Sequence, residues 1–276
     1  MQLEPLFVWA AVTLYAAGAV VFVVGFVFGR EAVVRAGGWV AVAGLVPHVL
    51  AIGVRWARVG HGPYLGFFEV VSSFALVSVL AFALLVWRYR SLRAVGLVLL
   101  PLAFLLMAGA MLAPRADVAL TPTLASWWLT IHVTFAKLTY GSFMVSFVLA
   151  LVYLVRDKAK GAWATLLEKL PSQAVIDDLS FKFVSVGFIF LTIMIVAGAI
   201  WANEAWGRYW GWDPVETWSL ISWLVYAAYL HLRMTWGWKG RKAAWVAVLA
   251  LPVLVFALIG VPLVYNSIHG AYIKGT

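Results

Sequence analysis

Residues 6–29, LFVWAAVTLYAAGAVVFVVGFVFG, run for 24 positions without a charged side chain. A helix rises about 1.5 Å per residue and a bilayer core is about 30 Å thick, so about 20 apolar residues suffice to cross it. The run is longer than a signal-peptide core of about 7 to 15 residues, and Met1 to Pro5 carry no Lys or Arg. A retained first membrane helix is therefore expected. Seven further apolar runs, bounded by charge, Gly or Pro, occupy 38–57, 64–87, 94–112, 128–155, 179–201, 215–234 and 243–264. The sequence predicts an all-α polytopic integral membrane protein of about eight crossings, with the 276 residues forming one transmembrane domain.

Composition supports this. The chain is 65% hydrophobic and 11% charged, against about 25% charged in water-soluble domains. It contains no cysteine, which excludes disulfides, thiolate nucleophiles, iron–sulfur clusters and covalent haem attachment to this chain. Few polar residues recur at regular spacing along any run, which argues against a channel. The net charge of +9 is read as setting orientation, and not as marking a nucleic-acid partner. Thirteen of the 20 Lys and Arg fall in the first, third, fifth and seventh connections, so both termini are expected outside. In the fifth connection Trp163, Leu166, Leu167 and Leu170 recur at i, i+3, i+4 and i+7. That spacing predicts a short cytoplasmic interfacial helix over about 157–171.

Six of the 16 Trp lie between 201 and 223, in WANEAWGRYWGWDPVETWSLISW, the first part of which the charge pattern places outside. An interfacial aromatic belt accounts for one or two per helix end, and the cluster exceeds that. Gly207 and Gly211 permit unusual backbone, Asp213 precedes Pro214 at an expected helix start, and Glu216 stands in its first turn. A rigid aromatic shelf at the membrane surface suits a flat apolar ligand, a porphyrin or a quinone.

A haem iron would require imidazole or thioether ligands. His132, near the outer end of the fifth helix, and His269, in the outer tail, flank the Trp segment and should share its depth. His61, in G-H-G-P, also lies outside, where a capping role is the alternative. His48 falls near the middle of helix two and His231 near the cytoplasmic end of helix seven. Their depths differ by about 9 Å at helical rise, too far for comfortable ligation of one haem, so a partner chain is expected to complete that site. Glu69 and Lys137 are read either as an ion pair or, for Lys137, as a cation for anionic groups on the ligand.

The string W-A-N-E-A-W-G-R-Y-W-G-W-D-P-V-E-T-W at 201–218 closely resembles the WWD signature of the haem-handling proteins of cytochrome c maturation. Within them it is most similar to the CcsA (ResC) family. H-V-T-F-A-K-L-T-Y-G-S-F (132–143), Y-L-H-L-R (229–233), N-S-I-H-G-A-Y (266–272) and R-W-A-R-V-G-H-G-P (55–63) extend the likeness. Eight crossings fit CcsA better than the shorter CcmC or much longer CcmF branches.

The resemblance implies two N-terminal helices (6–57) before a WWD-type core (64–276). It implies non-covalent haem b, ligated outside by His132 and His269 and, in the membrane, by His231 with a group from the partner. The haem would be cradled by Trp206, Tyr209, Trp210, Trp212, Asp213, Glu216 and Trp218. The partner would be a CcsB or ResB membrane protein, and together they would form a cytochrome c synthase acting on the Cys-x-x-Cys-His of apocytochrome c. No catalytic side chain is implied, because the enzyme's work is positioning and water exclusion. The setting would be the cell membrane with its working face outside the cytoplasm, or a thylakoid membrane. A haem transporter or chaperone without synthase activity, and a quinone-binding respiratory subunit, are the alternatives.

Overall fold

The computed structural model describes residues 3–112, 115, 117, 120–158, 167 and 170–268. Its secondary structure is helical: α1 (Leu3–Val27), α2 (Glu31–Ala43), α3 (Leu45–Val59), α4 (Gly66–Arg88), a 3₁₀ turn (Arg90–Val95), α5 (Gly96–Met111), α6 (Trp127–Lys158), α7 (Gln173–Trp206), α8 (Pro214–Met234), α9 (Arg241–Val255), a π turn (Phe256–Gly260) and α10 (Val261–Val264). The chain is an all-α polytopic membrane protein. Among the described residues, seven helical stretches are long and apolar enough to cross a bilayer, α2 and α3 forming one of them. The stretch predicted over 215–234 forms α8, which has 21 residues. Glu216, Ser219, Ser222, Tyr229 and His231 make it less apolar than the others. Most of the interfacial helix expected at about 157–171, including Trp163 and Leu166, lies outside the described residues. Leu167 and Leu170 are buried.

The chain divides into two compact units, residues 1–119 with 160–171, and 120–159 with 172–276. In the first, small residues bring backbones together, as helices in lipid require where apolar burial alone gives no preference for protein over tail. A Cβ at Gly18 would lie 2.6 Å from Ala41, and one at Gly37 would lie 2.3 Å from the Phe22 backbone, so α1 and α2 cross at these glycines. Gly44 breaks α2 from α3 at the point where the Tyr15 ring would stand 2.6 Å from an added Cβ. Val8, Tyr15, Ala75, Val79 and Met107 fill the core of this unit.

In the second unit α6 runs along α7. Ser146 Oγ donates to the Ser180 carbonyl (3.0 Å) and Ser180 Oγ to the Ser146 carbonyl (3.2 Å), a reciprocal buried pair at the crossing. Gly187 admits the Phe143 ring, which stacks on Tyr226 of α8 with centroids 3.5 Å apart and 2° between planes. At one end of the unit Arg233 Nη1 donates to both oxygens of Asp177 at 2.9 Å, and Asp177 Oδ1 also accepts from Gly240 N. That carboxylate fastens α7, α8 and the turn into α9. At the other end α9 passes through the π turn into α10, and Tyr140 Oη donates to the Leu254 carbonyl just before it (2.8 Å). A π turn shifts the register of the side chains that follow. Here it sets the Phe256 ring against Trp218 of α8, with centroids 4.6 Å apart.

Candidate functional site

The loop 207–213 is held by carboxylates that receive backbone N–H groups. Asp213 caps α8 and Glu216 completes a capping box. Glu216 Oε2 accepts from Gly211 N (2.8 Å) and Asp213 N (3.1 Å). Asp213 Oδ1 accepts from Val215 N (3.0 Å) and Ser267 Oγ (2.8 Å), and Oδ2 from Ile268 N (3.0 Å). A buried charge must be hydrogen-bonded to persist, and both side chains are buried. Their effect is to lock the loop and to fasten the segment after α10 to the start of α8. Trp212 has φ +58°, a left-handed value uncommon for a non-glycine residue. Glu216, accepting the N–H groups of both neighbours, Gly211 and Asp213, holds it there, with the residue 68% exposed.

The expected residues divide by place. His132, Tyr209, Trp210 and Glu216 line one cleft of about 110 Å³, together with Tyr140, Met194, Gly198, Ser219, Ala257 and Leu258. Trp212 stands at the rim with its ring edge-on to Trp210 at 5.8 Å. Trp206 packs edge-on to Trp201 at 4.9 Å, and Trp201 Nε1 donates to the Thr123 carbonyl, tying the chain ahead of α6 to α7. Trp218 packs on Phe256. Trp223, at the end of the aromatic string, donates to Thr192 Oγ1 within the core. His231 lies exposed in the last turn of α8, its Nδ1 3.3 Å from Thr235 Oγ1 and its ring 6.0 Å from Trp236. His269 lies outside the described residues, directly after Ile268, whose N–H Asp213 holds.

His132 is the chemical centre of the cleft. Its Nδ1 lies 2.8 Å from the Met194 carbonyl, which can only accept, so Nδ1 is the donor and in the neutral imidazole the lone pair falls to Nε2. An imidazole oriented by an Nδ1–H to a carbonyl is the usual state of a metal-ligating histidine. Gly198 makes the room: a Cβ there would lie 2.6 Å from His132 Nδ1. Arg208 was not singled out from the sequence, and its guanidinium lies across Gly211, where any side chain would collide with it. Among the described residues Arg208 has no ion-pair partner. Gly198 and the π-turn residues also escaped the sequence reading, since a glycine and two aliphatic residues carry no chemical signal.

The polar residues of the first unit are arranged differently. Arg55 Nε donates to Glu69 Oε1 (2.6 Å) and Nη1 to Glu4 Oε1 (3.2 Å). Arg58 bonds Glu4 and Asp117. Glu69 Oε2 accepts from Leu65 N (3.0 Å) and lies 3.7 Å from His61 Nδ1, which donates to the Gly62 carbonyl. Glu69 thus takes Arg55 as its partner, and His61, in the G-H-G-P connection, is buried. His48 is buried against Tyr15, with Nδ1 and Oη 3.0 Å apart, and its Nε2 has no hydrogen-bond partner among the described residues. These groups line a cavity of only about 10 Å³, room for about one water.

Fold and site together define a polytopic helical membrane protein with an oriented imidazole in an aromatic-rimmed cleft. Residues 64–269 match the family model described as cytochrome C assembly protein. The chain is 37% identical to the cytochrome c biogenesis protein CcsA of Synechococcus sp. (strain CC9605) over 83% of this chain and 84% of that one. It is 35% identical to CcsA of Guillardia theta, over 80% of each. It is also 35% identical to CcsA of Chlamydomonas reinhardtii, over 80% of this chain and 64% of that longer relative. The solved structure of the cytochrome c haem lyase CcmF superposes with a TM-score of 0.64 at 20% identity, covering 94% of this chain and 48% of that one, a likeness of fold. The chain belongs to the cytochrome c assembly family, among the CcsA proteins of cytochrome c biogenesis.

Proposed function

We propose that this chain holds haem b non-covalently in the cleft of its second unit and presents it for attachment to apocytochrome c. The observation that carries the reading is the oriented His132: its Nδ1–H is committed to the Met194 carbonyl, so Nε2 is the ligating nitrogen on a cleft lined by Tyr209 and Trp210. The residues fit the group. An imidazole lone pair suits the iron, the aromatic rim suits a flat apolar macrocycle, and Arg208 beside the loop suits a carboxylate on it. His269 would be a second ligand, and Asp213 holds Ile268 N, directly before it in the chain.

Haem bound there supplies the two vinyl groups to which the Cys-x-x-Cys thiols add. The chain's own part would be to hold the iron through His132 and to exclude water with the aromatic lining of Tyr209 and Trp210. His231, outward-facing at the far end of α8, is assigned to a membrane haem completed by a CcsB/ResB-type partner. The pair then works as a synthase, the whole chain acting as one haem-handling domain. The working face is outside the cytoplasm, in the plasma membrane or a thylakoid membrane, with lipid around it.

The test is reconstitution of the purified chain, with and without a CcsB/ResB-type partner, with reduced haem and an apocytochrome bearing Cys-x-x-Cys-His. Covalent haem in the cytochrome, dependent on both His132 and the partner, is the expected result. Haem bound by the chain but never attached would move the assignment to a transporter or chaperone.

A further inference from the structure

The first unit carries a groove of about 600 Å³ with no part in the activity above. It is lined by Phe22 and Phe82, their rings edge-on at 5.6 Å, and by Gly38, where a Cβ would make ordinary contact with the Phe82 ring at 3.6 Å. Two indoles project from its walls, Trp39 of α2 (72% exposed) and Trp87 of α4 (82% exposed). Arg90 and Arg93 of the 3₁₀ turn line it too, and also line an adjoining cavity of about 270 Å³. Arg35, the third cation of the groove, lies 4.0 Å from Glu31. Arg90 and Arg93 have no hydrogen-bond or ion-pair partner among the described residues.

Guanidiniums at the ends of apolar membrane helices sit at the headgroup level, where an anionic lipid phosphate is available as their counter-ion. A guanidinium meets a phosphate with paired N–H bonds, and indoles settle at the headgroup level of a membrane. The groove offers no imidazole or thioether, so it lacks the ligands a haem iron takes. We propose that it binds an anionic glycerophospholipid, with the phosphate between Arg90 and Arg93 and one acyl chain lying along α2 and α4 between Trp39 and Trp87.

The experiment uses the full chain in nanodiscs of phosphatidylcholine containing a minor fraction of either phosphatidylglycerol or phosphatidylcholine with brominated acyl chains, which quench nearby indoles. Brominated phosphatidylglycerol is expected to quench the wild type more than brominated phosphatidylcholine at equal fraction. The excess should disappear in Trp39→Phe/Trp87→Phe. Each of Arg90→Gln and Arg93→Gln should weaken the preference about fivefold, and the pair about twenty-five-fold. Thermal melting of the glutamine pair, expected to match the wild type, separates loss of the lipid from loss of the fold. Equal quenching by the two lipids in the wild type overturns the proposal. So does an excess that survives the glutamine pair, or one displaced by stoichiometric haemin, which would give the groove to a porphyrin.

Discussion

Two buried polar clusters, Glu4 with Arg55 and Glu69 in the first unit and Asp213 with Glu216 in the second, are satisfied in different ways. In the first cluster charged side chains are spent chiefly on one another: Arg55 joins Glu4 to Glu69, Arg58 joins Glu4 to Asp117, and the cavity they line measures about 10 Å³. In the second, Asp213 and Glu216 are spent chiefly on backbone N–H groups, and His132, on a cleft of about 110 Å³, commits Nδ1 to a carbonyl. Similar residue types thus make a closed strut in one place and a preorganised site in the other. The difference lies in whether the partner is a side chain or the backbone.

The largest effect that would break this contrast is on stability. Arg55→Ala leaves Glu69 buried without its cation and Glu4 with Arg58 alone, and should cost about 3–5 kcal/mol, read as a lowered midpoint of thermal unfolding in detergent. A midpoint unchanged from wild type would mean that the cluster is not a strut. Next, Gly198→Ala drives a methyl into the His132 ring and should cost about 1–3 kcal/mol. Its sharper readout is haem affinity, which should fall while melting of the haem-free protein drops only modestly.

Asp213→Ala removes a helix cap, worth about 0.5–2 kcal/mol, and releases Ser267 and Ile268. Haem should bind more weakly and with altered iron coordination, as seen in the visible spectrum, whereas the same truncation at the Asp177 clamp should lower stability and leave the spectrum alone. Trp212→Ala, at an exposed rim position, should change stability by no more than about 0.5 kcal/mol. It should still speed haem dissociation measurably in a transfer assay to apomyoglobin.

Much of this was legible beforehand, for physical reasons. Apolar runs gave the helices because length and hydropathy alone decide which segments can span lipid. The start of α8 could be read from Asp213, Pro214 and Glu216 because capping is local chemistry. The convergence of His132 with Tyr209, Trp210 and Glu216 followed from motif and depth. The partner of Glu69 did not, since Arg55 and Lys137 are both cations in neighbouring runs and only packing chooses between them. Nor did the separate duties of the tryptophans. Trp201, Trp206, Trp218 and Trp223 hold the scaffold while Trp210 and Trp212 face the cleft and its rim, a division set by rotation about helices and not by composition.

The most direct measurement is the visible spectrum, oxidised and reduced, of the purified chain from cells with ample haem, wild type beside His132→Ala with and without added imidazole. The account predicts a low-spin b-type spectrum in the wild type, its loss or conversion in His132→Ala, and its return with imidazole. The same low-spin spectrum in His132→Ala without imidazole, or no haem in the wild type even with its partner present, would contradict the assignment of His132 Nε2 as the ligand around which the cleft is built.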